Sequence, residues 1–190
     1  MLRFLAVIFL LLGLSACANP NDLDQPPVDL GAFKLGHNIV VAPKATKGPV
    51  SRDASAEEWV ASLTEAMAER FGRYEGERLV HFGISVEGFV LAQPGIPVVA
   101  SPKSVLIINL TVWDDKAGAK LNEKPQQITV LESFSGKSFV GSGLTQSKEE
   151  QMLNLSRNAA KQVEEFLVRM HAEEGWFAPS RPADEALDQG

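Results

Sequence analysis

Apolar residues recur along this chain at two spacings, and the switches between them mark its elements. Asn38-Ile39-Val40-Val41-Ala42-Pro43 is a β-branched run that Pro43 stops, the pattern of a short strand, and Lys44 to Asp53 reads as a loop. Trp59, Leu63, Met67 and Phe71 then recur every four residues, directly after Ser55-Ala56-Glu57-Glu58. In that tetrad the Ser55 hydroxyl can accept from the first turn while Glu58 reaches back, a capping box. With Gly72 at the position after the last turn, the spacing predicts a helix over about 55–71.

A period of two follows. Val80, Phe82, Ile84, Val86 and Val90 alternate with His81, Ser85 and Glu87, and Leu106, Ile108, Leu110 and Val112 alternate with Asn109 and Thr111, giving strands over 79–91 and 105–113. Asp114 to Gly118 supplies turn residues, and a third strand of this group runs from Gln127 to Phe134. Ser135-Gly136-Lys137 breaks the pattern, leaving Ser138-Phe139-Val140 either as an extension past a bulge or as a strand of its own. Ser147-Lys148-Glu149-Glu150 is a second capping box. The helix it opens carries Met152, Leu155, Ala159, Val163, Phe166, Leu167 and Met170 on one side. Lys148, Asn154, Arg157, Lys161, Glu164 and Glu165 make a solvated face on the other, and the helix stops near Gly175.

The order is β-α-β-β-β-α, an α+β fold. A helical crossover joins the first two strands and a meander joins the rest, so a four-stranded mixed sheet carries two helices on one face. Trp59, Leu63 and Met67, with Leu155, Val163 and Phe166, are expected to pack on the side of Phe82, Ile84, Ile108 and Leu110. The other face is left open to water or to a partner.

The ends of the chain differ from its body. Met1-Leu2-Arg3 precedes an unbroken apolar run from Phe4 to Leu12, the length of a signal-peptide core and too short for a bilayer span. The run leads into Leu14-Ser15-Ala16-Cys17, which resembles the lipobox of bacterial lipoproteins. The resemblance implies that Leu14, Ser15 and Ala16 are read by the signal peptidase, that the bond before Cys17 is cleaved, and that the Cys17 thiol and the new amine are acylated. Each buried CH₂ contributes ~0.8 kcal/mol and two chains suffice for stable anchoring, which makes the lipid bilayer the first expected partner. Ala18 stands where, by the enterobacterial sorting rule, Asp would retain a lipoprotein in the inner membrane, so the expected location is the periplasmic face of the outer membrane. Residues 1–16 are therefore read as the signal peptide, 17–36 as the lipidated cysteine and a flexible tether holding Pro20, Pro26 and Pro27, 37–177 as one periplasmic domain, and 178–190 as a disordered tail.

Composition narrows the chemistry. Of 190 residues 45% are apolar, enough for one core, and 18 basic against 24 acidic side chains give a net charge of −6. Loss of the leader removes only Arg3 and makes the body more acidic, which argues against nucleic acid. Gly136-Lys137-Ser138 resembles the end of a phosphate loop, but Leu131 stands where its first glycine belongs, so no nucleotide is expected. One cysteine rules out an internal disulfide or a thiolate zinc site, and His37, His81 and His171 have no ligand spacing; His171 suits a helix C-terminus and His81 a solvated strand position. No nucleophile elbow occurs, and paired glutamates such as Glu57-Glu58 lie on the helices; only Glu87 and Glu132 could meet across the sheet. The chain reads as a non-enzyme without cofactor or metal.

One connection stands out. Residues 92–102 hold three prolines with Ile96, Val98 and Val99, where a tight turn would serve. This segment either contacts a partner or folds back over the sheet edge and caps the core. Lipobox, tether and an α+β domain over 37–177 together resemble the plan of the lipopolysaccharide-assembly lipoproteins and of the N-terminal domain of curli-secretion lipoproteins, although no motif diagnostic of either is present. The likeness covers architecture alone, and the chain reads as belonging to a lipoprotein family other than these two, with the expected role of a non-enzymatic assembly or accessory subunit that binds an envelope protein or glycolipid. The alternatives are a hydrolase of envelope polymer, which needs a converging carboxylate or serine cluster, and a passive lipoprotein that binds cell wall.

Overall fold

Both Ser-x-x-Glu tetrads form capping boxes in the computed structural model, which describes residues 22–93, 104–132 and 146–178. Ser55 Oγ accepts the Glu58 amide at 3.2 Å while the Glu58 carboxylate accepts the Ser55 amide at 2.8 Å; Ser147 and Glu150 repeat the exchange at 3.0 and 2.8 Å. Each exchange satisfies two backbone donors at a helix start. Helix α1 accordingly spans Ala56–Phe71 and α2 spans Lys148–Glu174. Gly175 closes α2 at φ 67°, a left-handed conformation that favours glycine.

Strand β1 (Phe33–Val41) runs parallel to β3 (Arg78–Val90), the two being joined through α1. Strand β3 is antiparallel to β4 (Val105–Asp114), and β4 to β6 (Gln126–Leu131). The two-residue strand β2 (Thr46–Lys47) prolongs the lane of β1 against Gly88 and Phe89, and β5 (Ala119–Lys120) prolongs the lane of β6 against Trp113 and Asp114. Among the described residues six strands thus occupy the four lanes of the expected mixed sheet. Val80, Phe82, Ile84, Leu106, Ile108, Leu110 and Val112 line its buried face, and Trp59, Leu63, Met67, Leu155, Val163 and Phe166 come down on them from the helices. At one end Phe33 is the hub of an aromatic cluster, its ring 5.2 Å from Phe177, 5.3 Å from Tyr74 and 5.9 Å from Phe82. Such ring pairs contribute ~0.5–1.5 kcal/mol each beyond their buried area.

Two boundaries move. Strand β1 starts at Phe33 rather than Asn38, because a bulge interrupts its alternation: Leu35 faces Val80 and Asn38 faces Phe82. Gly36 sits in that bulge, where a Cβ would come 2.3 Å from His81 Nδ1. The tether expected over 17–36 is correspondingly shorter, since Leu30 and Phe33 are buried and the Ala32 amide donates to Phe177 O at 3.0 Å. In β3, Val86 lies opposite Ile108 and Gly88 opposite Ile107, so Glu87 is the extra residue of a second bulge. The phase reverses there: Phe89 and Leu91 turn inward, and Val90, expected inside, is half-buried. Strand β6 ends at Leu131, and the residues from Phe134 to Val140 lie outside the described ones.

The largest departure concerns charge. Lys161 and Glu164, expected on the solvated face of α2, are withdrawn from water. The Glu164 carboxylate, its side chain 2% exposed, accepts from Arg70 Nη1 at 2.8 Å, from the Tyr74 hydroxyl at 2.9 Å and from Lys161 Nζ at 2.9 Å. Arg70 also donates to one Asp22 oxygen and Lys161 to the other, both at 2.7 Å. Burial alone would lift the Asp22 carboxyl, but Lys161 and Arg70 outweigh it and hold the group below the usual aspartate range. Burial, with the Glu164 carboxylate beside it, pushes the Tyr74 phenol well above its ordinary value and keeps it a donor. Glu58 pairs with Lys148, Ser62 with Ser156, Glu69 with Arg157 and Arg70 with Glu164, contacts that advance together along both helices, so α1 and α2 run parallel.

Removing the Glu164 side chain leaves Arg70 buried with a partner missing. Glu164→Ala is expected to cost ~3–5 kcal/mol, read as a lowered urea midpoint at unchanged slope. Glu164→Gln, which keeps an acceptor for Tyr74, is expected to cost less. Equal midpoints for the wild type and Glu164→Ala would show that the pair does not hold the helices together.

Candidate partner-binding surface

The strand register decides which side chains leave the sheet on the helix-free side. Strand β3 sends out Leu79, His81, Gly83 and Ser85 and, past its bulge, Gly88 and Val90; β4 sends out Val105, Ile107, Asn109, Thr111 and Trp113; β6 sends out Gln127, Thr129 and Leu131. Past its bulge, β1 adds Ile39 and Val41. Rows cross the sheet: Ile39 faces Gly83, which faces Thr111, and Val41 faces Ser85, which faces Asn109, which faces Gln127. Among the described residues both helices pack on the opposite face. As a result Ile39 is 57% exposed, Leu131 54%, Val41 45%, Leu79 41% and Trp113 38%. The small Gly83 and Ser85 lie between these apolar groups and the polar Asn109 and Thr111, so the face is shallow and chemically mixed.

One end of this face is built from polar side chains. His81, expected as a solvated strand position, has its ring 4.8 Å from the His37 ring, accepts the His37 amide on Nδ1 at 2.7 Å and meets Asp115 Oδ1 through Nε2 at 3.0 Å. An accepting Nδ1 leaves the ring proton on Nε2, from which it donates to Asp115. The imidazole is thus a positioned wall of the surface. Beside it a hollow of about 370 Å³ is lined by Glu77, Arg78, Leu79, Asp115 and Lys116, together with Ala32 and Ala178. Arg78 Nε donates at 2.7 Å to Asp114, which is 1% exposed and also accepts the Ala117 amide at 3.0 Å. Burial pushes the Asp114 carboxyl up, while the Ala117 amide and the Arg78 guanidinium more than reverse this and hold it below the usual aspartate range. His171 serves locally too, its Nδ1 accepting the Phe177 amide at 3.3 Å.

The remaining sequence candidates divide cleanly. Cys17, with Leu14, Ser15 and Ala16, lies outside the described residues, as do Ile96, Val98, Val99 and Gly136-Lys137-Ser138. The ends of the connection that holds Ile96 are placed, however: Val90 pairs with Val105, which pairs with Leu131, so that connection springs from the row of the exposed Leu131. Glu87 and Glu132 are not brought together, because β4 separates their strands and Glu87 lies level with Ile107 while Glu132 lies beyond Val105. Among the described residues no group of three or more His, Cys, Asp or Glu could hold a metal ion, and no helix is long and apolar enough to cross a membrane. The sequence did carry one unused signal for this surface, apolar Ile107 and Trp113 in the outward phase of an alternating strand.

No family model and no curated protein matches the chain. Among solved structures it is similar to a candidate lipoprotein from Caulobacter crescentus, at 12% identity and a TM-score of 0.39, covering 68% of this chain and 92% of that one. It is also similar to a Xanthomonas campestris protein of family DUF330, at 12% identity and a TM-score of 0.43, covering 75% of this chain and 87% of that one. A third is the minor lipoprotein from Acinetobacter baumannii, at 14% identity and a TM-score of 0.32, covering 70% of this chain and 94% of that one.

The Asp114 carboxyl yields a pH prediction. Its folded pKa is depressed, so its contribution to stability is complete above the unfolded value of ~3.9 and is lost as pH falls through the lower folded value. Asp114→Asn is therefore expected to be less stable than wild type at pH 7 but to lose less stability between pH 5 and pH 2. Parallel acid profiles for the two proteins in urea titrations would remove Asp114 as a source of acid sensitivity.

Proposed function

We propose that the protein is an outer-membrane lipoprotein facing the periplasm, held by acylated Cys17, whose domain is a non-enzymatic binding subunit of an envelope assembly. The anchor rests on Leu14-Ser15-Ala16-Cys17 behind a short apolar leader. The binding role rests on one observation: Ile39, Val41, Leu79, Trp113 and Leu131 stand exposed on a single sheet face, while both helices use their apolar stripes on the other. Apolar side chains scattered singly need no explanation, but a set gathered on one side of a sheet suits a contact with another envelope component. An envelope protein is the favoured partner, with glycolipid as the alternative. The connection that holds Ile96, Val98 and Val99 leaves the sheet at Val90 and returns at Val105, in the row of Leu131, and on this reading it belongs with the contact residues.

Growth with labelled palmitate tests the anchor: the wild type carries label, and Cys17→Ser remains unlabelled and unprocessed. Equal labelling of the two would sink it. For the binding role, Ile39→Ser combined with Trp113→Ser is expected to leave the melting temperature within about 4 °C of wild type, as surface changes do. The same double variant should fail to complement deletion of the gene and should lose the main adduct formed by a photo-cross-linker at Leu131. Full complementation by a well-folded double variant would move the contact site off this face.

A further inference from the structure

The anchor reading carries a distance that the strap ahead of β1 makes definite. Asp22 is only five residue steps beyond Cys17, and it is not free to move. Its two carboxylate oxygens are held separately, one by Arg70 of α1 and one by Lys161 of α2, each at 2.7 Å. Its carbonyl accepts the Gln25 amide at 2.9 Å, and Arg73 donates to the Leu23 and Gln25 carbonyls at 3.1 and 2.9 Å. Farther along, the Asp29 side chain accepts the Gly31 amide at 2.7 Å and Leu30 is buried. The strap is thus fastened at both ends and along its length.

Five steps of chain span at most ~18 Å in any conformation. From these contacts we infer that the Asp22 clamp seats the domain against the bilayer surface, with the corner formed by the end of α1, the middle of α2 and the strap turned toward the phospholipid headgroups. The inference rests on Cys17 being the lipid anchor. Without the clamp, the first firmly buried point would be Leu30, and the thirteen steps to it would allow a reach of ~47 Å, more than the thickness of a small domain. The clamp is therefore the difference between a domain that roams on a leash and one that keeps a single side to the membrane. Arg70 and Lys161 belong to the helix layer, and the exposed set around Ile39 and Trp113 lies on the far side of the sheet. The same clamp consequently points the open sheet face away from the lipid.

The test uses the full lipidated chain in phosphatidylethanolamine–phosphatidylglycerol vesicles that contain a headgroup-linked quencher. A fluorophore is placed on a single new cysteine, either Gln25→Cys on the strap or Val41→Cys on the open face, both exposed positions. Quenching is expected to be several-fold stronger from position 25 than from position 41. Asp22→Ala with Arg73→Ala should shrink that difference, and so should a flexible insertion of about ten Gly and Ser residues between Ala18 and Asp22, which leaves the clamp and the fold untouched. Equal quenching at the two positions in the wild type, or a difference that survives the insertion, would overturn the seating. If the wild type leaves the vesicles as readily as Cys17→Ser does, the anchor itself fails and the bound falls with it; firm retention with equal quenching overturns the clamp alone.

Discussion

An arginine and a glutamate taken out of water between two helices impose the constraint that the rest of this fold obeys. An uncompensated charge at such a depth costs several kcal/mol, so Arg70 and Glu164 have to meet, and their remaining hydrogen-bonding capacity has to be filled. Tyr74 and Lys161 fill the carboxylate, and Asp22 takes up a second guanidinium nitrogen. An apolar helix contact tolerates sliding and repacking, but a buried ion with directional partners does not. The pair therefore sets the register of α1 against α2. The Ser62–Ser156 contact, between two small residues, lets the helices approach one turn after another upstream of it. The exposed pairs of Glu69 with Arg157 and Glu58 with Lys148 follow that register and add little of their own.

Because Asp22 is one of the groups that complete the cluster, the constraint reaches beyond the helices. Holding Asp22 brings in the strap, and the strap delivers Leu30 and Phe33 to the core and starts β1 beside β3. Sequence patterning had no access to this chain of consequences. Lys161 and Glu164 are three apart on a helix, the spacing of an ordinary surface ion pair, and their decisive partner Arg70 lies 94 residues from Glu164. What was legible was local: Ser55 with Glu58 and Ser147 with Glu150 marked both helix starts, and strict alternation in Val105–Trp113 marked β4 except for its last residue, Asp114, which reads as a turn residue but is buried in the strand. Alternation failed where a bulge shifted its phase, at Gly36-His37 in β1 and at Glu87 in β3. A bulge is one extra residue with no partner of its own, and period counting has nothing against which to measure it.

The two bulges also shape the open face. Without the one in β1, the residues after it would turn over, and Ile39 and Val41 would point toward the helices in place of Val40. The bulge in β3 turns Phe89 and Leu91 into the core beside Trp59, whose ring lies 5.3 Å from that of Phe89, and puts Gly88 and Val90 on the open side opposite Ile107 and Val105. The candidate surface was legible only in part for the same reason. Ile107 and Trp113 stood out as apolar residues in the outward phase of β4, whereas the run Ile39-Val40-Val41 is apolar in both phases and could be divided between the faces only by the register with β3.

A sheet face left uncovered by the helices must be tolerable in water. Here most of the apolar groups are interrupted: Gly83 stands beside Ile39, Ser85 beside Val41, Asn109 and Gln127 continue the row of Val41, and Thr129 faces Ile107, while the row of Leu131 with Val105 and Val90 stays apolar. Among the described residues no two of the exposed large side chains are direct cross-strand neighbours, which limits the apolar seam to the single row of Val90, Val105 and Leu131. A partner that matches the spacing would bury Ile39, Val41, Trp113 and Leu131 while meeting the intervening hydroxyl and amide groups with hydrogen bonds. A partner that supplies only apolar surface would leave those groups unsatisfied, at a cost of about 1–3 kcal/mol each. The polar interruptions thus keep the open face compatible with water and, under the proposed binding role, would discriminate among partners by the same mechanism, the penalty for burying a polar group without a mate.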